Sequence, residues 1–144
     1  MKISSILFLC FALLGTNACA QSSDWDSMKP TGAAHAKVLP AEVKVKLRLA
    51  YEAALDVDSL ASVDEYLAEN QDAKRAIREA KAVANSKDAM EVVGDIELLR
   101  MTRETCRSCN TEEDFKQCHA AAMLWAGRIH TELGLDKKAI VKKP

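Results

Sequence analysis

Cys106, Cys109, Cys118 and His119 fall within 14 residues, in the stretch TCRSCNTEEDFKQCHAA that runs from Thr105 to Ala121. The chain has no other cysteine beyond residue 20. Three chemistries use such a set: a disulfide, a soft-metal site, or thiol–disulfide exchange. Cys106-x-x-Cys109 followed by Cys118-His119 offers four donors, enough for tetrahedral zinc. Structural zinc needs reduced thiolates, and on a helix His119 points about 100° away from Cys118, which strains joint ligation. A second metal set is His119, Met123 and His130, spaced four and seven residues apart. Its imidazole and thioether donors suit copper, although a methionine at helical spacing ordinarily packs against a core edge. Redox catalysis wants the Cys-x-x-Cys pair at a helix N-terminus. Here the pair is expected at a helix C-terminus, where the dipole opposes a thiolate. Haem attachment would need a histidine after Cys109, and Asn110 stands there.

The N-terminus bears on which chemistry applies. Lys2 precedes an apolar run from Ile3 to Leu14, and Ala18-Cys19-Ala20 places small residues ahead of Gln21. This is the form of a secretory signal peptide over residues 1–20, shorter than a membrane span. Cleavage after Ala20 leaves three cysteines. Cleavage before Cys19 would retain a fourth, open to lipidation, but Thr16 occupies the position where a lipoprotein signal usually carries leucine. Export to an oxidising compartment makes a disulfide the expected fate of the cysteines. Cys106 and Cys118 both lie on expected inward helical stripes at similar depth from a turn, so they are the expected pair. Cys109–Cys118 is the competing pairing. The Cys106–Cys118 bridge closes a loop of about a dozen residues and stabilises by roughly 3 kcal/mol.

The spacing Cys106, Thr111, Asp114-Phe115, Cys118 is similar to a short cysteine-bracketed signature in a family of exported bacterial lysozyme inhibitors. The resemblance covers 13 residues, and only 26 follow Cys118, whereas that family continues well past its second cysteine.

These residues must be positioned by helices. Low glycine and proline content, 5 and 3 in 144 residues, accompanies abundant Ala, Leu, Glu and Lys. Residues 21–37 are polar and aperiodic and read as a mobile leader, with Trp25 available to dock and His35 as a solvated side chain. Residues 38–135 read as the folded domain, and 136–144 as a basic tail. Over Pro40–Leu55, Val43, Val45, Leu47 and Leu49 alternate as in a strand. Val43, Leu47, Ala50, Tyr51, Ala54 and Leu55 nevertheless share one helical face, and the length favours a helix. Ser62-x-x-Glu65 is a capping box, opening a short helix with Val63, Tyr66 and Leu67. A separate helix is expected from Asn70 or Asp72, with Ala73, Ala76, Ile77, Ala80 and Val83 inward. Ser86 caps a long helix striped by Ala89, Val92, Val93, Ile96, Leu99 and Cys106, with Arg103 interrupting the stripe. Thr111 caps the last helix, whose stripe is Phe115, Cys118, Ala122, Trp125, Ala126, Ile129 and Leu133. Gly134 suits a left-handed C-cap. The expectation is an all-α bundle of four or five helices, its last two an antiparallel hairpin.

Function is less legible. Of 20 basic and 21 acidic residues only Lys2 falls in the signal, so the remainder carries a net charge of −2, a poor balance for nucleic acid. Phosphate-binding glycine loops, nucleophile elbows and metalloprotease motifs are absent, and no cofactor is indicated. Glu112, Glu113 and Asp114 occupy a first helical turn, where negative charge is favourable without any catalysis. Arg100, Arg103 and Arg107 line one side of their helix and can grip an acidic partner, or else pair with Glu97 and Glu104. The expected function is a non-enzymatic exported protein that binds a protein partner in the envelope or outside the cell. Inhibition of, or immunity to, a cell-wall hydrolase is its most specific form. The alternative is a zinc- or copper-binding envelope module.

Overall fold

A computed structural model describes residues 24–136. The expected signal peptide, Cys19 and all but the first residue of the expected basic tail lie outside that range. Among the described residues there are four α-helices and no strand: α1 (Ala41–Asp56), α2 (Val63–Val83), α3 (Lys87–Cys106) and α4 (Glu112–Glu132), preceded by one 3-10 turn at Trp25–Met28. No described helix is long and apolar enough to cross a membrane.

In α1 the helical face decides. Val43, Leu47, Ala50, Tyr51 and Ala54 are buried, while Val45 and Leu49, the other half of the alternation, are exposed. A strand would have put all four aliphatic residues on one side. Leu55 packs only partly buried at the edge of the core.

The sequence-based break at residues 67–70 does not exist: α2 runs unbroken from Val63 to Val83. Its buried face is Tyr66, Asn70, Ala73, Ile77 and Ala80, a continuous i, i+3, i+4 stripe with an asparagine inside it. Asn70 is held there because Arg100 Nη1 donates to its Oδ1 at 2.8 Å. That buried partner outweighs asparagine's local preference for caps. Val63 and Leu67 are exposed. The capping box forms in both directions: Glu65 N donates to Ser62 Oγ, and Ser62 N donates to a Glu65 carboxylate oxygen.

Ser86 and Thr111 cap α3 and α4 by accepting from Ala89 N and Asp114 N, each at 3.1 Å. At the far end of α4, Gly134 has φ +60°, Gly134 N donates to Thr131 O, and Leu135 N donates to His130 O. This pair of bonds satisfies carbonyls that the helix itself leaves open, and the left-handed residue is the glycine expected there.

α1 and α3 each pack against the other three helices, whereas α2 and α4 scarcely meet. Leu47, Ile96, Leu99, Ile129 and Leu133 fill the core between them. Fully buried alanines (Ala50, Ala54, Ala80, Ala89, Ala122, Ala126) let the helices approach closely. Tyr51 crosses this core and donates its hydroxyl to Ala126 O at 3.1 Å. Burial, with a smaller push from Glu52, raises that phenol to about 12.

Residues 24–37, expected as a mobile leader, lie along the α3–α4 hairpin as a strap. Trp25 is buried, Trp125 Nε1 donates to Met28 O at 2.6 Å, and Lys37 N donates to Glu132 O at 2.9 Å. Polar composition hid this docking. Its anchors are one tryptophan and backbone groups, which periodicity does not register.

Candidate functional site

Cys106 ends the last turn of α3, and Cys118 lies two turns into α4. Their Cα atoms are 5.5 Å apart and their sulfurs are bonded. The separation is normal for a disulfide, and the pairing is the one expected. Cys109 keeps its thiol. It sits partly buried in a small cluster of Trp25, Met28, Phe115 and the two bridged cysteines. Burial, then the nearby Asp114 carboxylate, pushes the Cys109 thiol upward, away from the reactive thiolate.

The bond removes the zinc set, because two of its three thiolates are joined to each other. The copper set does not converge either. His119 is exposed and stacks on Phe115, with ring centroids 6.0 Å apart. Met123 is exposed and His130 is buried. An 11-residue separation on one helix puts the two imidazoles roughly 16 Å apart along the axis. Among the described residues, no group of three or more His, Cys, Asp or Glu side chains is arranged to hold a metal ion.

The arginines expected to grip a partner turn inward. Arg100 is 5% exposed. Its guanidinium bonds Glu97, Glu104 (2.8 Å) and Asn70. Arg103 Nη2 donates to Leu55 O at 2.6 Å, and Arg107 Nη1 donates to Ala61 O at 2.9 Å while its guanidinium lies 4.4 Å from the Tyr66 ring centre. Burial lowers Arg103's proton affinity somewhat, against the nearby carboxylates of Asp58, Asp56 and Glu69. Together these three side chains tie the α1–α2 connection and α2 onto α3. Glu97 and Glu104 are the partners anticipated from helix spacing. The loop carbonyls, about 46 residues away in sequence, carry no local signal.

A second polar constellation escaped sequence analysis. Arg128 Nε donates to Asp95 Oδ2 at 2.7 Å and lies 3.3 Å from Glu132 Oε1. Its Nη1 donates to Thr31 O of the strap at 2.8 Å. Glu132 is 1% exposed, and its Oε2 has no donor. Burial first, then the neighbouring Asp95 carboxylate, pushes Glu132 up to about 7. One hint was legible: a glutamate in a last helical turn faces the negative end of the dipole.

The hairpin also exposes large apolar side chains: Leu98 and Met101 on α3, Met123 and Leu124 on α4, each between 37% and 49% exposed. Met123 and Leu124 line a shallow groove with Gly127 and Arg128 of α4 and with Pro30 and Gly32 of the strap. Compared with protein-family models, with curated proteins and with solved structures, the chain has no match that would lend it a family, a relative or a structural neighbour.

Proposed function

We propose that the chain is an exported, non-enzymatic helical protein that binds another protein in the bacterial envelope or outside the cell, through the outer face of its stapled hairpin. The observation that carries this reading is that Leu98, Met101, Met123 and Leu124 are among the exposed apolar residues of α3 and α4, with Met90. Apolar groups held on a covalently fastened frame lose little freedom on association, which favours affinity. With Arg100, Arg103 and Arg107 committed internally, recognition shifts from charge to this apolar face with a polar rim. The signal-like N-terminus and the disulfide support export. A cell-wall hydrolase held in an inhibitory or immunity complex is the specific partner class proposed.

The test is titration of purified cell-wall hydrolases with the oxidised protein, reading hydrolysis and complex mass. Stoichiometric inhibition in a one-to-one complex, lost in the double variant Met101→Glu/Leu124→Glu, is the expected outcome. Binding that is unchanged in that variant contradicts the proposed face. Absence of any complex across the panel contradicts the partner class.

A further inference from the structure

The strap and the buried end of α4 meet at Glu132, and the charges around it are unbalanced. From α3 come Asp95, Glu91 and Asp88; from α4, Arg128; from the strap, Lys37; and from α1, Lys44, whose Nζ lies 3.7 Å from the position a Cβ would take at Gly134. Lys37 is engaged elsewhere, its Nζ 2.6 Å from Glu91 Oε2 and 3.6 Å from Asp88 Oδ1. Arg128 therefore stands as the cation between two carboxylates, while its Nη1 holds the Thr31 carbonyl. Glu132 Oε2 is buried without a donor, and the Asp95 and Glu132 carboxyl groups both approach the same Arg128 Nε, at 2.7 Å and 3.3 Å. Two carboxyl groups in that relation share a proton, since like charges in a dry site cannot both ionise cheaply.

We propose that Glu132 and Asp95 form a proton-sharing pair that clamps residues 29–37 onto the hairpin and releases them when the proton is lost. In the clamped state Glu132 donates its proton to Asp95, and Arg128 divides its donors between Asp95 and the strap carbonyls. Loss of that proton to solvent leaves the Asp95 and Glu132 carboxylates sharing one guanidinium, with Glu132 itself 1% exposed. Both then compete for Arg128 and draw it from Thr31. Hydrating the new charge requires water to enter where the Lys37 N–H bonds Glu132 O. The strap lifts while α1–α4, held by their own core, stay folded. The elevated proton affinity of Glu132 places this event near neutral pH. The strap also forms one wall of the groove beside Met123 and Leu124, so its release reshapes the face assigned to partner binding. The clamp itself does not depend on that assignment.

The experiment is a pH series of 1H–15N spectra of the full chain from about pH 5.5 to about pH 8.5. It follows the Trp125 indole N–H, which donates to Met28 O, and the Lys37 amide, which donates to Glu132 O. The Lys37 signal is expected to shift with one inflection near neutrality, while the Trp125 indole, bonded to Met28 outside residues 29–37, reports the end of the strap that stays in place. Lys37 amide protection, corrected for intrinsic exchange, is expected to fall about tenfold or more across it while helical circular dichroism holds. Glu132→Gln should erase the inflection and keep the strap down. An inflection that survives in Glu132→Gln, as a histidine would give, overturns the proposal, as does a flat wild-type response. If Glu132→Gln fails to fold, Asp95→Asn decides: an inflection moved to lower pH supports the pair, and an unmoved one refutes it.

Discussion

At the loop end of the α3–α4 hairpin a covalent bond is sealed by apolar side chains, with Trp25, Met28 and Phe115 packed on Cys106–Cys118. At its open end, about three to four turns along the helices, the same strap is fastened by Lys37, Arg128, Asp95 and Glu132, where one buried carboxylate oxygen has no donor. The first contact is packing of Trp25 and Met28 against a bond that joins α3 to α4; the second is a cluster of charges, which the proposed clamp makes responsive to pH. On that proposal the strap can be loosened at its polar end while the hairpin beneath it stays folded.

The contrast can be broken most forcefully at the loop end. Cys106→Ala/Cys118→Ala is expected to lower unfolding free energy by about 3 kcal/mol, from the restored freedom of a 12-residue loop. Urea denaturation of oxidised and reduced wild type beside the variant should show the reduced protein and the variant coinciding. Trp25→Ala comes next, costing about 2 kcal/mol through lost apolar burial. It should leave the pH response of Lys37 intact, whereas Trp25→Phe should recover most of the stability.

Glu132→Gln gives the smallest change and the one whose sign is most informative. The folded chain holds the Glu132 proton up to about 7, above the ordinary value of an unfolded glutamate. The resulting stabilisation is complete below the unfolded value and is lost as pH rises through about 7. Wild type should therefore weaken over that window. Glu132→Gln should be more stable than wild type by about 1–2 kcal/mol above pH 8 and should lose the advantage near pH 5. Denaturation midpoints at the two pH values check it.

Much of the frame was legible because it is local. Helical faces, the Ser62 capping box, the Gly134 C-cap and the Cys106–Cys118 pairing all arise from spacings of a few residues or from one turn. Features decided by distant partners were not legible. Asn70 resembles a helix start until Arg100 is placed opposite it. Arg103 and Arg107 resemble a surface patch until the carbonyls of Leu55 and Ala61 are brought to them. Glu132 and Asp95 are 37 residues apart, and nothing in either segment announces the other. Of the strap, only Trp25 was legible as a docking residue; the carbonyls and backbone groups that hold the rest leave no periodic signal.

The Cys106–Cys118 bond underlies the rigid hairpin, and the proposed export and binding face both rest on that bond forming in the cell. Intact mass spectrometry of the protein recovered from its natural host, alkylated under denaturing and non-reducing conditions, tests this most directly. The expected mass is that of a chain beginning at Gln21 and carrying one alkyl group, on Cys109. A chain that still begins at Met1, or one with Cys106, Cys109 and Cys118 all alkylated, would contradict it.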